Sequence, residues 1–281
     1  MTASRTAMTL LELLDRTTRF FGEKAIPSPR LQAELLTSHV LGKPRLALYL
    51  EFDRPMQEAE LEPLRALVRR RAQGEPLQYI LGKTSFCGLE IQCAPGALIP
   101  RPETEYLVER VVDELKTMVP GTLADIGTGT GCIALACSDQ LPGWNIWAVE
   151  SSQAAVSIAR RNLLAHPQLS VALYEGSLLD PLPAAPQVVA ANLPYLNQEE
   201  MESLPPDVQQ EPTEALNGGT DGLEVIRRLV HGLSPETRHC FLETGIHHTV
   251  QAAEMLREAG YFQTDIFPDP NGHPRYVVAR R

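Results

Sequence analysis

The chain has 281 residues, 43% of them hydrophobic, with 25 Lys and Arg against 35 Asp and Glu, a formal net charge of −10. That length and apolar share suffice for one large domain or for a large and a small one, while the acidic balance opposes unaided binding to a polyanion, because Lys and Arg contacts to phosphate supply most non-specific nucleic-acid affinity. Five cysteines without a C-x-x-C pair and seven histidines without ligand spacing point away from a disulfide framework and from a metal site.

The first fourteen residues lack the uninterrupted apolar region of a signal peptide, since Glu12, then Asp15 and Arg16, break into it. No run approaches the ~18 apolar residues of a membrane span, so a cytoplasmic protein with no membrane partner is expected. Leu10, Leu14, Thr17 and Phe21 recur at helical spacing, with Leu13 and Phe20 widening the stripe, and predict an amphipathic helix. Ser28 as N-cap and Pro29 at the first position announce a second helix, which Gly42 closes. After a short stretch over 45–50, Leu61, Leu64 and Val68 mark a third. Arg69-Arg70-Arg71 is the one compact basic run and reads as the end of that helix, where cations suit the dipole. These elements predict a small helical domain ending near Gly74-Glu75-Pro76. From Gln78 to Cys93 the period changes to two, with a turn at Cys87-Gly88, which predicts a hairpin. Two prolines in Ile99-Pro100-Arg101-Pro102-Glu103-Thr104-Glu105 then fix an extended path into a helix with acids in its first turn.

The stretch from Leu123 to Ala136 reads as a buried strand, a glycine turn and a helix. Gly127, Gly129 and Gly131 alternate with Thr128 and Thr130, and alternate glycines let a backbone approach a ligand closely. Cys132 stands where the dinucleotide fingerprint would place its third glycine, which disfavours NAD. An acid just before the loop, Asp125, suits an ammonium group better than a pyrophosphate. S-adenosylmethionine carries such a group on its methionine end. Glu150, at the tip of the next apolar run, is placed to accept hydrogen bonds from ribose hydroxyls. Beyond it, helices over 153–166, 222–232 and 249–259 alternate with strands over 170–174, 187–191, 239–242, 264–267 and 276–279. That alternation predicts a doubly wound α/β sheet. Asp221 and Glu224 are spaced as a capping box.

At the carboxyl end of the 187–191 strand comes Asn192-Leu193-Pro194-Tyr195. An amide side chain, a backbone held extended by the following proline and an aromatic ring make a pocket for a flat amide or amidine group. The Asn192 oxygen can accept one N–H of a substrate NH2, a main-chain carbonyl such as that of Leu193 the other, and Tyr195 can stack on the plane. Such a site aligns a poor nitrogen nucleophile with an electrophilic methyl and stabilises the charge developing on nitrogen.

Together with these motifs, the runs Pro76-Leu77-Gln78-Tyr79-Ile80-Leu81-Gly82, Leu98 to Glu105, Glu211-Pro212 and Gly218-Gly219-Thr220-Asp221-Gly222-Leu223 resemble the release factor glutamine methyltransferases over nearly the whole chain. The resemblance implies a doubly wound S-adenosylmethionine-dependent methyltransferase fold, with a small N-terminal helical domain over 1–76 for substrate docking. It further implies a connecting β-hairpin linker over 77–100 and a catalytic domain over 101–281. The implied reaction is methylation of the glutamine amide nitrogen in the Gly-Gly-Gln motif of class I peptide chain release factors, with no direct nucleic-acid partner. Asp125, Gly127, Thr128, Gly129, Thr130, Gly131, Glu150, Ser177, Leu178 and Asn192 are the implied cofactor residues. Asn192, Leu193, Pro194 and Tyr195 are the implied substrate residues, with Asn192, Pro194 and Tyr195 at the chemistry. The chain departs from the family pattern where Leu193 replaces a proline, Glu150 an aspartate and Ser177 an acid facing adenine. Asn-Leu-Pro-Tyr is also similar to the motif of ribosomal RNA adenine dimethyltransferases. That enzyme class, and a non-catalytic S-adenosylmethionine-binding protein, stand as alternatives.

Overall fold

The computed structural model describes residues 8–281 and divides at Gly82 into two compact units. The first is helical: α1 (Leu10–Glu23), α2 (Pro29–Leu41), α3 (Arg45–Leu48), α4 (Glu58–Ala72) and α5 (Leu77–Leu81). Thr9 caps α1 in a capping box with Glu12. The stripe expected on α1 is the one it buries, Leu10, Leu13, Leu14, Thr17 and Phe21, against Leu36, Leu48 and Leu64. The basic run is not a patch, because Arg70 pairs with Glu75 and Arg71 is buried with its Nε donating to Gln32. The predicted boundary at residue 76 shifts to Gly82. Residues 77–81 form a helical turn, not the start of a strand, and Gly82 ends it at φ +74°.

The second unit opens with the hairpin β1 (Lys83–Phe86) and β2 (Leu89–Gln92), whose two-residue turn holds both Cys87 and Gly88 at positive φ. Next come α6 (Pro102–Leu115), β3 (Thr122–Ile126), α7 (Cys132–Gln140), β4 (Asn145–Glu150), α8 (Gln153–Ala165), β5 (Val171–Glu175), β6 (Val188–Asn192) and the short α9 (Gln198–Glu202). The unit closes with α10 (Glu224–Gly232), β7 (His239–Glu243), α11 (Thr249–Glu258), β8 (Gln263–Pro268) and β9 (Pro274–Arg280). Seven strands form one sheet in the order β5-β4-β3-β6-β7-β9-β8, parallel from β5 to β7 and antiparallel at the final hairpin. The chain winds outward from β3 to β5 and then returns to pair β6 with β3. This order reversal opens a crevice at the carboxyl ends of β3 and β6, where open α/β sheets bind ligands. Both faces are covered, one by Leu107, Val111 and Leu135, the other by Ile226, Leu229 and Leu256, so the central strands are mostly apolar, with Asp125 on β3 and Glu243 on β7 as buried acids.

The expected capping box at α10 does not form. Gly222, at φ +72°, turns the chain between the two acids. Asp221 therefore accepts the Leu223 N–H, while Glu224 reaches back to the Thr220 N–H. Among the described residues no helix is long and apolar enough to cross a membrane.

Candidate active site

The crevice holds a solvent-open cleft with about 900 Å³ of free space, open water included. Gly127 and Gly129 line its floor at φ +72° and +59°, conformations that favour glycine, whereas Gly131, at φ +84°, is buried with Ala159 beside it and does not line the cleft. A Cβ on Gly129 would meet nothing within 4 Å, so this face of the loop is open to a ligand. The N–H groups of Gly127 and Thr128 both donate to the Val149 carbonyl at 2.9 Å, tying the loop to β4.

Glu150 ends β4 and lines the cleft. Its carboxylate accepts the N–H of Gly129 at 2.9 Å, of Ser151 at 2.8 Å and of Ser152 at 2.9 Å. A carboxylate has about four acceptor sites, so Glu150 fixes the glycine loop and keeps capacity for a ligand hydroxyl. Replacing Glu150 by Ala removes charge-assisted bonds and is expected to weaken S-adenosylmethionine binding by on the order of 1.5–3 kcal/mol. Calorimetric titration giving unchanged affinity in a folded Glu150→Ala protein would remove it from the site.

Asp125 differs from its expected role. It is fully buried beneath the loop and lines none of the cavities around it. Its Oδ2 accepts from the Thr128 hydroxyl and from the Ala134 N–H, and its Oδ1 has no partner. Burial pushes the carboxyl up to about 7. Asp125 thus organises the turn into α7 from below. Thr128 and Thr130 line a smaller adjoining cavity, also away from the main cleft. Ser177 and Leu178 do line the main cleft, Leu178 at φ +50°. Sequence reading missed Arg228 of α10, whose Nη2 donates to the Ser177 hydroxyl at 3.1 Å. A donor pair here occupies the place where the family resemblance implied an acid.

Asn192, at the end of β6, lines the main cleft and both smaller cavities beside it. Its Nδ2 donates to the Thr104 hydroxyl at 2.9 Å, a contact across 88 residues that no local pattern announces. Leu193, though buried, and Pro194 line both the main cleft and the second cavity, and Tyr195 lines the second cavity with Arg101. Arg101 pairs with the buried Glu211, which also accepts the Ile99 N–H at 2.9 Å. This pair fastens the proline-rich segment to the stretch over 208–216 that roofs the second cavity. The Tyr195 hydroxyl faces Arg275 of β9 at 3.4 Å, and burial pushes it up to about 12.

The glycine run after Asn217 has a structural purpose here. Gly218 donates to the Leu196 carbonyl at 2.8 Å, and a Cβ on it would sit 2.5 Å from the Gly222 carbonyl oxygen and 2.8 Å from that of Pro194. Neither backbone atom can yield without moving the Pro194–Tyr195 turn. Gly218→Ala is expected to cost about 1–3 kcal/mol of stability by overpacking, read by urea denaturation. Gly22→Ala, with nothing within 4 Å, is the unhindered control.

Residues 12–82 match the family described as PrmC N-terminal domain, and residues 103–219 match the methyltransferase small domain. A release factor glutamine methyltransferase of Geobacter sulfurreducens is 38% identical over 100% of this chain and 99% of its own length. One from Deinococcus radiodurans is 36% identical over 98% of this chain and 99% of its own length. The chain belongs to the release factor glutamine methyltransferases. Its fold is shared more widely. The hMettl16 catalytic domain, solved in complex with MAT2A 3'UTR hairpin 6, superposes with a TM-score of 0.56 at 19% identity, over 76% of this chain and 81% of that one. In this release factor glutamine methyltransferase, Asn192, Leu193, Pro194 and Tyr195 lie together at the carboxyl end of β6, beside the glycine loop and Glu150.

Proposed function

We propose that this chain, acting in the cytoplasm, methylates the side-chain amide nitrogen of the Gly-Gly-Gln glutamine in class I release factors. The observation that carries the reading is the place of Asn192. It stands where the three cavities meet, with its Nδ2 committed to Thr104 and its Oδ1 left for a substrate N–H.

The residues present fit S-adenosylmethionine: an open glycine face, and a carboxylate on Glu150 with spare acceptor capacity. When bound, S-adenosylmethionine supplies a sulfonium methyl group. Gly127, Gly129 and Glu150 would hold it in the main cleft. Asn192 accepts one N–H of the substrate amide and the Leu193 carbonyl the other, turning the nitrogen toward the methyl. These acceptors also stabilise the positive charge that grows on nitrogen as it attacks, and the methylated amide then releases its proton to water without a strong base. Orientation is the main contribution, with reacting atoms held roughly 3–3.5 Å apart. The helical unit, with Leu46, Tyr49 and Leu50 exposed at and after α3, serves in this reading as the docking surface for the release factor.

Radiolabelled methyl transfer tests the proposal. Label entering release factor glutamine is the expected result. Label entering structured RNA instead, or entering neither, overturns it in favour of an RNA methyltransferase or a non-catalytic binding protein.

A further inference from the structure

We propose that Ser177 and Arg228 meet the edge of the cofactor's base as a pair of hydrogen-bond donors, so that this protein binds a 6-oxo purine nucleoside about as well as the 6-amino one. The proposal rests on S-adenosylmethionine lying in the main cleft with its ribose on Glu150. Strand order then fixes where the base goes. The tips of β5, β4, β3 and β6 follow one another along the crevice, with Ser177 just beyond the first, Glu150 on the second and Asn192 on the last. A ligand with its ribose on Glu150 and its methyl group turned to Asn192 directs its base the other way, to the turn after β5.

That end of the cleft is lined by Ser177 and Leu178 of the turn and by Val225 and Arg228 of α10. Val225 and Arg228 have the i, i+3 spacing that puts two side chains on one face of a helix. Leu178 and Val225 offer apolar surface to a flat ring, which leaves Ser177 and Arg228 to meet its polar edge. The turn is tightly built. Leu178 holds φ +50°, uncommon for a residue with a side chain, and the Ser177 carbonyl accepts the Asp180 N–H at 3.1 Å. From the other side of the cleft the Arg228 Nη2 donates to the Ser177 hydroxyl at 3.1 Å.

The polarity of that bond decides what the base meets. An arginine side chain donates and never accepts, so the Ser177 oxygen is the acceptor and the hydroxyl keeps its single proton for another partner. Arg228 has further N–H groups beyond the one used here. Both side chains therefore present donors, and the guanidinium beside the hydroxyl repels the partial positive charge of an incoming amine. The acids nearby do not reverse this polarity. Glu175 pairs with Arg160 and accepts from Gln153 Nε2 at 2.8 Å, and it does not line the cleft. Among the described residues the acids that line the cleft are Glu150 and Glu214, and Ala215, next to Glu214, also lines the second cavity with Asn192 and Tyr195, away from the base. The exocyclic amine of adenine is a donor and finds no acid at this end, whereas the ring nitrogens accept. A 6-oxo purine sets an acceptor where adenine has its amine, the same oxygen that arginine meets on guanine.

Calorimetric titration of the full chain with S-adenosylhomocysteine and with S-inosylhomocysteine, its 6-oxo counterpart, tests the proposal. The native protein is expected to bind the two within about threefold of each other. Arg228→Ala should weaken the 6-oxo ligand about tenfold and the adenine ligand less, since it removes a charged donor. Ser177→Asp, which turns a carboxylate oxygen to the base, should favour adenine by about tenfold or more. A native preference for adenine above about tenfold, or an Arg228→Ala protein with both affinities unchanged, would overturn the proposal. Failure of the cofactor placement beneath it looks different: Glu150→Ala would then bind S-adenosylhomocysteine as tightly as the native chain, and both would fall together. Neither ligand carries a methyl group to transfer, so the result is independent of whether release factor is the acceptor.

Discussion

Asn192→Ala is expected to slow methyl transfer at least about a hundredfold, in a chain that remains folded. The truncation removes the one side-chain acceptor placed where the three cavities meet, and with it the Thr104 contact. An interaction that strengthens as charge develops on the substrate nitrogen belongs to the transition state, so the loss should appear in kcat and not mainly in KM. Asn192→Asp should fail as well. It keeps an acceptor toward the substrate but replaces the Nδ2–H that donates to the Thr104 hydroxyl with a carboxylate oxygen, which cannot donate. Steady-state methylation of release factor by both variants is the measurement. Near-native turnover of Asn192→Ala would refute the role.

The strand, glycine loop and helix around Asp125–Gly131 were legible because they are local: a buried run, glycines at positive φ and a helix follow one another within a few residues. Asn192 was legible for the same reason, as a polar tetrapeptide at the end of an apolar strand. The five residues of α5 were not. Tyr79, Ile80 and Leu81 are a short apolar run that periodicity alone does not separate from a buried strand, and one helical turn is too short to show its own period. Asp125 was misplaced because sequence order shows that it precedes the loop but not that its side chain lies beneath it. The contacts that set the chemistry are long-range. Arg228 reaches Ser177 across 51 residues, Thr104 reaches Asn192 across 88, and Arg101 reaches Glu211 across 110. Such pairs arise from strand order and crossover, which periodicity does not encode.

Leu193 stands where the family resemblance implied a proline, and the structure gives it a packing role that reading its backbone alone omits. A proline there would be expected to matter through its fixed φ. Instead the leucine side chain is 4% exposed, packs in the cluster with Ile126, Val149, Leu223 and Ile226, and fills the space over Gly127. A Cβ on Gly127 would come within 2.8 Å of Leu193 Cδ2, so loop and side chain are fitted to each other. Leu193→Ala should therefore cost about 2–5 kcal/mol, the transfer free energy of the lost methyl groups plus that of the cavity they leave. Leu193→Met keeps most of the volume and should cost less than about 1.5 kcal/mol. Urea denaturation of both variants gives the two values. Because the cavity opens beneath the first glycine of the loop, the Ala variant should also bind S-adenosylmethionine more weakly than the Met variant. Equal stability of Ala and Met variants would mean that the loop is held by its bonds to Val149 and Glu150 alone, with no support from the leucine.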